Sequence, residues 1–389
     1  MKKTYTITLI LVTSIVAINA QGTWTQKATF GGTGRWGAVG FSIGTKGYIG
    51  TGFDGGFKQD FWEWDQGTNA WTQKSDFVGA ARIYAVGFSI GTKGYLGTGT
   101  GVTTEQDFWE WDQVTNLWTQ KTDLGGSARW LASGFSIGTK GYIGTGYDGA
   151  TMYRDLWEWD QGTGAWTQKA DFGGTGRYFA VGFSIGTKGY IGTGYDGTYT
   201  QDFWEWDQGT NTWVQKANFS GAGRQGAVGF SIGTKGYIGT GYDGGNYQDF
   251  REWDQGTDTW TQQADFSGTA RYRAVGFSIG TLGYIGTGFD GTNLDDFWEW
   301  NSVAVGINDL ENLPGVSVFS NPSIGTFELE TNESGKSQVE IYDAIGTIIY
   351  HAEIAANKTA IDLSAQEKGL YFVKVHDGKK NYIRKLIIQ

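Results

Sequence analysis

The sequence predicts an all-β chain, a six-bladed β-propeller followed by a small β-sandwich, and three observations carry that expectation. The first is composition. Sixty-five glycines and two prolines stand beside 19 Trp, 20 Tyr and 23 Phe in 389 residues, a turn-rich and aromatic-rich mixture suited to many short strands. The second is a repeat. The segment GFSIGTKGYIGTG recurs nearly unchanged with its phenylalanine at Phe41, Phe88, Phe135, Phe183, Phe230 and Phe277, at intervals of 47, 47, 48, 47 and 47 residues, a period that marks propellers and arrays. The third is an offset at the ends. GTWTQKATF (Gly22 to Phe30) precedes the first unit, whereas the last unit stops after DFWEWN (Asp296 to Asn301) without a WTQK strand of its own.

Within a unit, four runs, AVGFSI, GYIGTG, DFWEWD and WTQKADF, are divided by GTK, DG and QGTN turn signals, so each unit reads as a blade of four short antiparallel strands. Pairing Trp24 to Thr29 with the last blade supplies its missing strand and closes the ring, which removes an exposed edge. The expected domains are a signal peptide over 1–20, the propeller over 21–301, a linker over 302–315 and a second domain over 316–389.

The first twenty residues, MKKTYTITLILVTSIVAINA, join a Lys2-Lys3 start to an apolar run and end in a small residue, the pattern of a cleaved secretory leader. No cysteine follows to take a lipid, and no other stretch approaches about 18 apolar residues, so no membrane insertion of the mature protein is expected. A formal charge of −10 disfavours nucleic acid and anionic lipid surfaces. The absence of cysteine rules out disulfides, thiolate metal sites and a cysteine nucleophile. No cofactor, no metal and a monomeric state are expected.

The repeats resemble the Kelch family. They show a glycine-rich end to the second strand, IGTG, then an aromatic and acidic third strand, FWEWDQGTN, then a tryptophan opening the fourth at Trp71, Trp118, Trp166, Trp213 and Trp260. Gly-Thr-Gly stands where that family carries Gly-Gly, so the propeller is Kelch-like. The resemblance covers about residues 22 to 301 and implies the fold, while the family hosts oxidases, mutarotases and many binding modules. DQGTNAW (Asp65 to Trp71) is superficially similar to the Asp-box of sialidases, but its Trp falls one residue late and Glu63 stands where Ser or Thr belongs.

From Gly315 onward, VEIYDAIGTIIYHAEI, TAIDLS and GLYFVKVHDGKKNYIRKLIIQ alternate apolar and polar residues around turn glycines, as a small antiparallel sandwich requires. Asn321-Pro322 with Gly325, Ile341-Tyr342-Asp343 with Gly346, Gly369-Leu370-Tyr371 and Lys385-Leu386-Ile387 resemble the C-terminal sorting domain of type IX secretion in Bacteroidetes. That resemblance implies contact with the type IX machinery, export across the outer membrane, and surface attachment or release.

The GTGYDG core of GYIGTGYDG matches the GxGxxG spacing of dinucleotide loops, and the spacing recurs in five of the six units. A strand follows it each time, so no helix N-terminus faces a pyrophosphate, and the glycines read as strand ends and turns. Asp54, Asp148, Asp196, Asp243 and Asp290 likewise lack calcium-loop spacing and read as turn residues. The two histidines, His351 and His376, both lie in the tail, which leaves no imidazole in the propeller for copper or acid-base chemistry.

Arg35, Arg82, Arg129, Arg177, Arg224 and Arg271 precede the first strands and are expected to form a ring near one mouth of the central channel. They either pair with the third-strand glutamates (Glu63, Glu110, Glu158, Glu205, Glu252 and Glu299) or bind an anionic ligand. The units differ most just after each Arg and in the loop after the second strand, two places that emerge on one face of a blade. Trp36, Tyr84, Trp130, Tyr178, Tyr272 and Arg273 from the first place, and Tyr153 and Arg154 from the second, join the arginines as candidate ligand-binding residues. The expected function is recognition of a glycan or protein through that variable face, with no catalytic residues. The alternatives are a carbohydrate-active enzyme, a mutarotase or lyase drawing on Glu105, Arg154, Arg251, Arg273 or Asp295, and a structural surface protein.

Overall fold

A computed structural model describes residues 22–302, 316–331, 336–343, 348–376 and 381–388. The expected leader, and the expected linker apart from residue 302, lie outside the described residues. The chain divides into two compact units, Gln21–Val303 and a second that includes Ala304–Gln389.

The first unit holds six four-stranded antiparallel sheets. In the first blade β2 (Val39–Ile43), β3 (Lys46–Gly50), β4 (Phe61–Asp65) and β5 (Ala70–Gln73) lie side by side in chain order. The β2–β3 hairpin is closed by two residues, with Ile43 opposite Lys46. Gly44 opens that turn at φ 58°, the left-handed conformation such a short loop needs at its first position. The β4–β5 turn is tied by Asp65, whose carboxylate accepts the Thr68 N–H at 3.0 Å.

The sixth blade is completed from the chain's other end. β1 (Thr23–Gln26) pairs with Phe297–Asn301 with Trp24 opposite Trp300, which closes the ring where the sequence offset requires it. The fourth strands are shorter than expected, because the chain leaves the sheet before the ADF segment, whose phenylalanine is buried, as at Phe77.

The core is distributed between blades. One cluster joins Phe41, Tyr48 and Phe61 of the first blade to Leu96, Trp111 and Trp118 of the second, and equivalents recur around the ring. Close approach depends on glycine in the second strand. A Cβ on Gly189 would sit 2.3 Å from Cε2 and Cζ of Phe135, so the ring of one blade lies on the backbone of the next. A polar tie runs beside this packing. The Tyr48 hydroxyl donates to Glu63 at 2.7 Å and accepts from the Gln113 amide of the neighbouring blade at 2.7 Å.

The second unit contains a three-stranded sheet and a four-stranded sheet whose strand pairs are antiparallel. Phe327 and Leu329 from one and Val339, Ile341, Val373 and Leu386 from the other share a single core, the sandwich expected from the alternating pattern.

Candidate ligand-binding face

The two variable places of each unit meet on one face. The residue after each Arg bridges to the residue at the fourth position of the GTGYDG motif, as in Trp36 with Phe53, Trp130 with Tyr147, Tyr178 with Tyr195, Gln225 with Tyr242 and Tyr272 with Phe289. The motif itself is a strand end and a turn, as the sequence predicts. Gly194 adopts φ 101°, and the following Asp196 carboxylate accepts the Thr198 N–H at 3.1 Å. In the third blade the Thr151 N–H, the Tyr153 hydroxyl and the Ala150 N–H hold the Asp148 carboxyl down at about 2.

One residue further along, the backbone builds an annulus around the channel mouth. The N–H of Tyr84 donates to the Gly37 carbonyl at 2.9 Å, Leu131 to Tyr84 at 3.2 Å, Phe179 to Leu131 at 3.0 Å, Gly226 to Phe179 at 3.1 Å, Arg273 to Gly226 at 2.9 Å, and Gly37 to Arg273 at 3.1 Å. All six residues lie at positive φ, between 55° and 64°. Glycine takes that conformation freely, whereas Tyr84, Leu131, Phe179 and Arg273 hold it against a steric cost, a form of strain that concentrates at functional sites. These residues line a cavity of about 130 Å³ at the mouth.

An aromatic belt surrounds the mouth. Ring centroids run from Trp36 to Tyr84 (5.6 Å), Trp130 (5.8 Å), Tyr147 (5.9 Å), Tyr178 (5.3 Å), Tyr195 (5.4 Å) and Tyr199 (5.3 Å), then Tyr242 (6.4 Å) and Tyr272 (5.0 Å). Arg273 completes the circle, its guanidinium carbon 4.5 Å from the Tyr272 ring and 4.8 Å from that of Trp36. Burial pushes the Tyr84 hydroxyl well above the ordinary tyrosine range, with the Arg273 charge pulling the other way.

The structure thus brings Trp36, Trp130, Tyr178, Tyr272 and Arg273 into one half-buried surface, with Tyr84, 8% exposed, buried among them. Tyr147, Tyr195 and Tyr242 belong to it as well and were missed in the sequence. The available signal was the aromatic residue inside GTGYDG, which is replaced only in the second unit, by Thr100.

The six repeated arginines require a correction. Arg35, Arg82, Arg129, Arg177, Arg224 and Arg271 are at most 1% exposed, and none presents a free guanidinium at the surface. Each forms a two-pronged ion pair with the aspartate before the third strand (Asp60, Asp107, Asp155, Asp202, Asp249 or Asp296), with Nη2 to Oδ2 at 2.7 to 3.0 Å. The same groups donate to backbone carbonyls such as Thr51 and Thr98. They are buried scaffold rather than an anion-binding ring, and their partners are aspartates rather than glutamates. The glutamates take the tyrosine hydroxyls instead.

Tyr153 and Arg154 are also occupied. The Tyr153 hydroxyl donates to Asp148 at 2.7 Å while its ring lies 4.1 Å from the Arg129 guanidinium, and Arg154 pairs with Asp171 at 3.5 Å. Of the other residues weighed for acid-base work, Arg251 lies 3.2 Å from Asp249 and Glu105 accepts the Thr103 hydroxyl at 2.5 Å.

Residues 317–389 match the family model described as "Secretion system C-terminal sorting domain". Among solved structures, the chain is similar to one titled "Structure of YjhT", with 18% identity, a TM-score of 0.62, and coverage of 70% of this chain and 95% of that one. At that identity the likeness shows the fold alone. No curated protein matches the chain. The class these observations define is a six-bladed β-propeller followed by a sorting domain. The sorting domain directs export through the type IX secretion system, whose machinery is its partner, to the cell surface or the medium.

Proposed function

We propose that this protein is an exported binding module whose variable loop face recognises a glycan or protein without turning it over. The observation that supports the reading is the aromatic belt around the channel mouth. Stacked rings offer flat apolar surfaces with polar edges, the chemistry that grips sugar faces and protein side chains at low entropic cost. The rings stand apart from the inter-blade clusters and pack on one another, with Trp36, Trp130 and Tyr178 half-buried against Tyr84. The opposite face carries the uniform GTK and QGTN turns and offers no comparable variety.

The mature chain applied to an array of glycans is expected to bind a defined subset, and a variant with Trp36, Trp130 and Tyr178 changed to Ala is expected to lose that binding by at least about tenfold. Undiminished binding by the variant would reject the face. Conversion of a bound sugar would reject a binding module in favour of an enzyme.

A further inference from the structure

We propose that Arg273 anchors the anionic group, carboxylate or sulfate, of an acidic glycan bound at the channel mouth, a proposal that rests on the loop face being the binding face. Its charge is uncompensated. Among the described residues from 22 to 302, every other Lys and Arg stands within ion-pair distance of a carboxylate. In a chain of formal charge −10, a lone unneutralised cation in the propeller is a costly feature to keep beside apolar rings.

The surroundings hold that charge without cancelling it. The guanidinium carbon lies 4.5 Å from the Tyr272 ring, 4.8 Å from Trp36, 5.5 Å from Tyr84 and 5.6 Å from Phe179. Cation–π contact with these faces fixes the plane of the group, yet its buried Nε finds no acceptor. Arg273 also adopts φ 59°, where the first and fifth blades place Gly37 and Gly226. Arg273 lines the cavity at the mouth, and its side chain is the one in that lining that carries a charged fork of donors.

Size and charge count favour a glycan over an acidic peptide. A cavity of about 130 Å³ admits a charged terminal group, while the rest of the ligand must lie across the rings outside. An acidic peptide segment would call for several cations, but the belt supplies one cation among many stacking faces. One anion on a stacked sugar matches that ratio.

The test is an array of carboxylated, sulfated and neutral oligosaccharides, with Glu-rich peptides alongside, probed with the mature chain and with Arg273→Met and Arg273→Lys. Acidic glycans are expected to outbind their neutral or methyl-esterified counterparts. Arg273→Met should weaken them about tenfold to a hundredfold, the usual weight of a charge-assisted hydrogen bond, and Arg273→Lys should fall between. Melting curves of both variants establish that they fold. Binding confined to neutral glycans, or unchanged in Arg273→Met, overturns the anion site and leaves the face reading intact. Capture of acidic peptides alone overturns the glycan assignment, and binding of nothing on the array overturns the acidic-glycan site and leaves a protein as the ligand of the face.

Discussion

Replacing Asp202 with alanine is expected to destabilise the propeller by about 3–5 kcal/mol, the cost of leaving a buried charge without its partner. Arg177 is 1% exposed, and Asp202 takes Nη1 at 2.5 Å and Nη2 at 2.8 Å. The same carboxylate accepts the Trp204 indole N–H at 2.8 Å. Without it, two donors of Arg177 and the indole lose their acceptor, and the remaining bonds to the Thr193 carbonyl, the Thr200 hydroxyl and the carbonyl and hydroxyl of Thr175 cannot neutralise the charge. Thermal unfolding should show a fall in Tm on the order of 10 °C. Changing Arg177 to Met in the same molecule should restore part of that loss, because the unpaired cation is then gone. A single variant that melts within a degree or two of the parent would show that the buried pair carries no such weight.

Removing Gly22 to Phe30 should have a still larger effect, the loss of cooperative folding. That segment supplies the fourth strand of the sixth blade. Its Trp24 packs on Phe250, Phe266 and Trp300 with centroids 4.9 to 5.0 Å apart, and Phe30, 3% exposed, seals the first blade against the last. At about 150–250 Å² per ring and roughly 25 cal/mol/Å², the two rings contribute up to about 8–12 kcal/mol, comparable with the whole stability of an ordinary domain. The truncation would also bare Phe297–Asn301, a flat aromatic edge open to pairing with other chains. Size-exclusion chromatography should find aggregate rather than monomer. A soluble truncated chain with a sharp unfolding transition would show that the ring does not depend on this closure.

The fold was legible because six near-identical copies average out local ambiguity. The four strands per unit, the place of closure and the turn role of GTGYDG all follow from composition and period. The arginine partners were not legible for the same reason. A strict repeat places Glu63 and Asp60 at equally constant offsets from Arg35, so period alone cannot choose between them. Register decides, since Glu63 stands directly opposite Tyr48, whereas Asp60 precedes the strand and meets the buried guanidinium.

The binding face was half legible. Differences between copies pointed to Trp36, Tyr84, Trp130, Tyr178, Tyr272 and Arg273. Tyr147, Tyr195 and Tyr242 escaped because they sit inside a motif so uniform that it reads as scaffold. The unpaired state of Arg273 is a property of three-dimensional placement. Its sequence neighbours give no hint that every other cation of the propeller is matched.

The central claim is that the departures from six-fold repetition, gathered at the channel mouth, are where this protein meets its ligand. A crystal structure of the mature chain with the glycan that the array selects tests it most directly. Ligand density over Trp36, Trp130 and Tyr178, with an anionic group against Arg273, is the expected result. Density on the QGTN turns, or in a groove between blades away from the mouth, would contradict it.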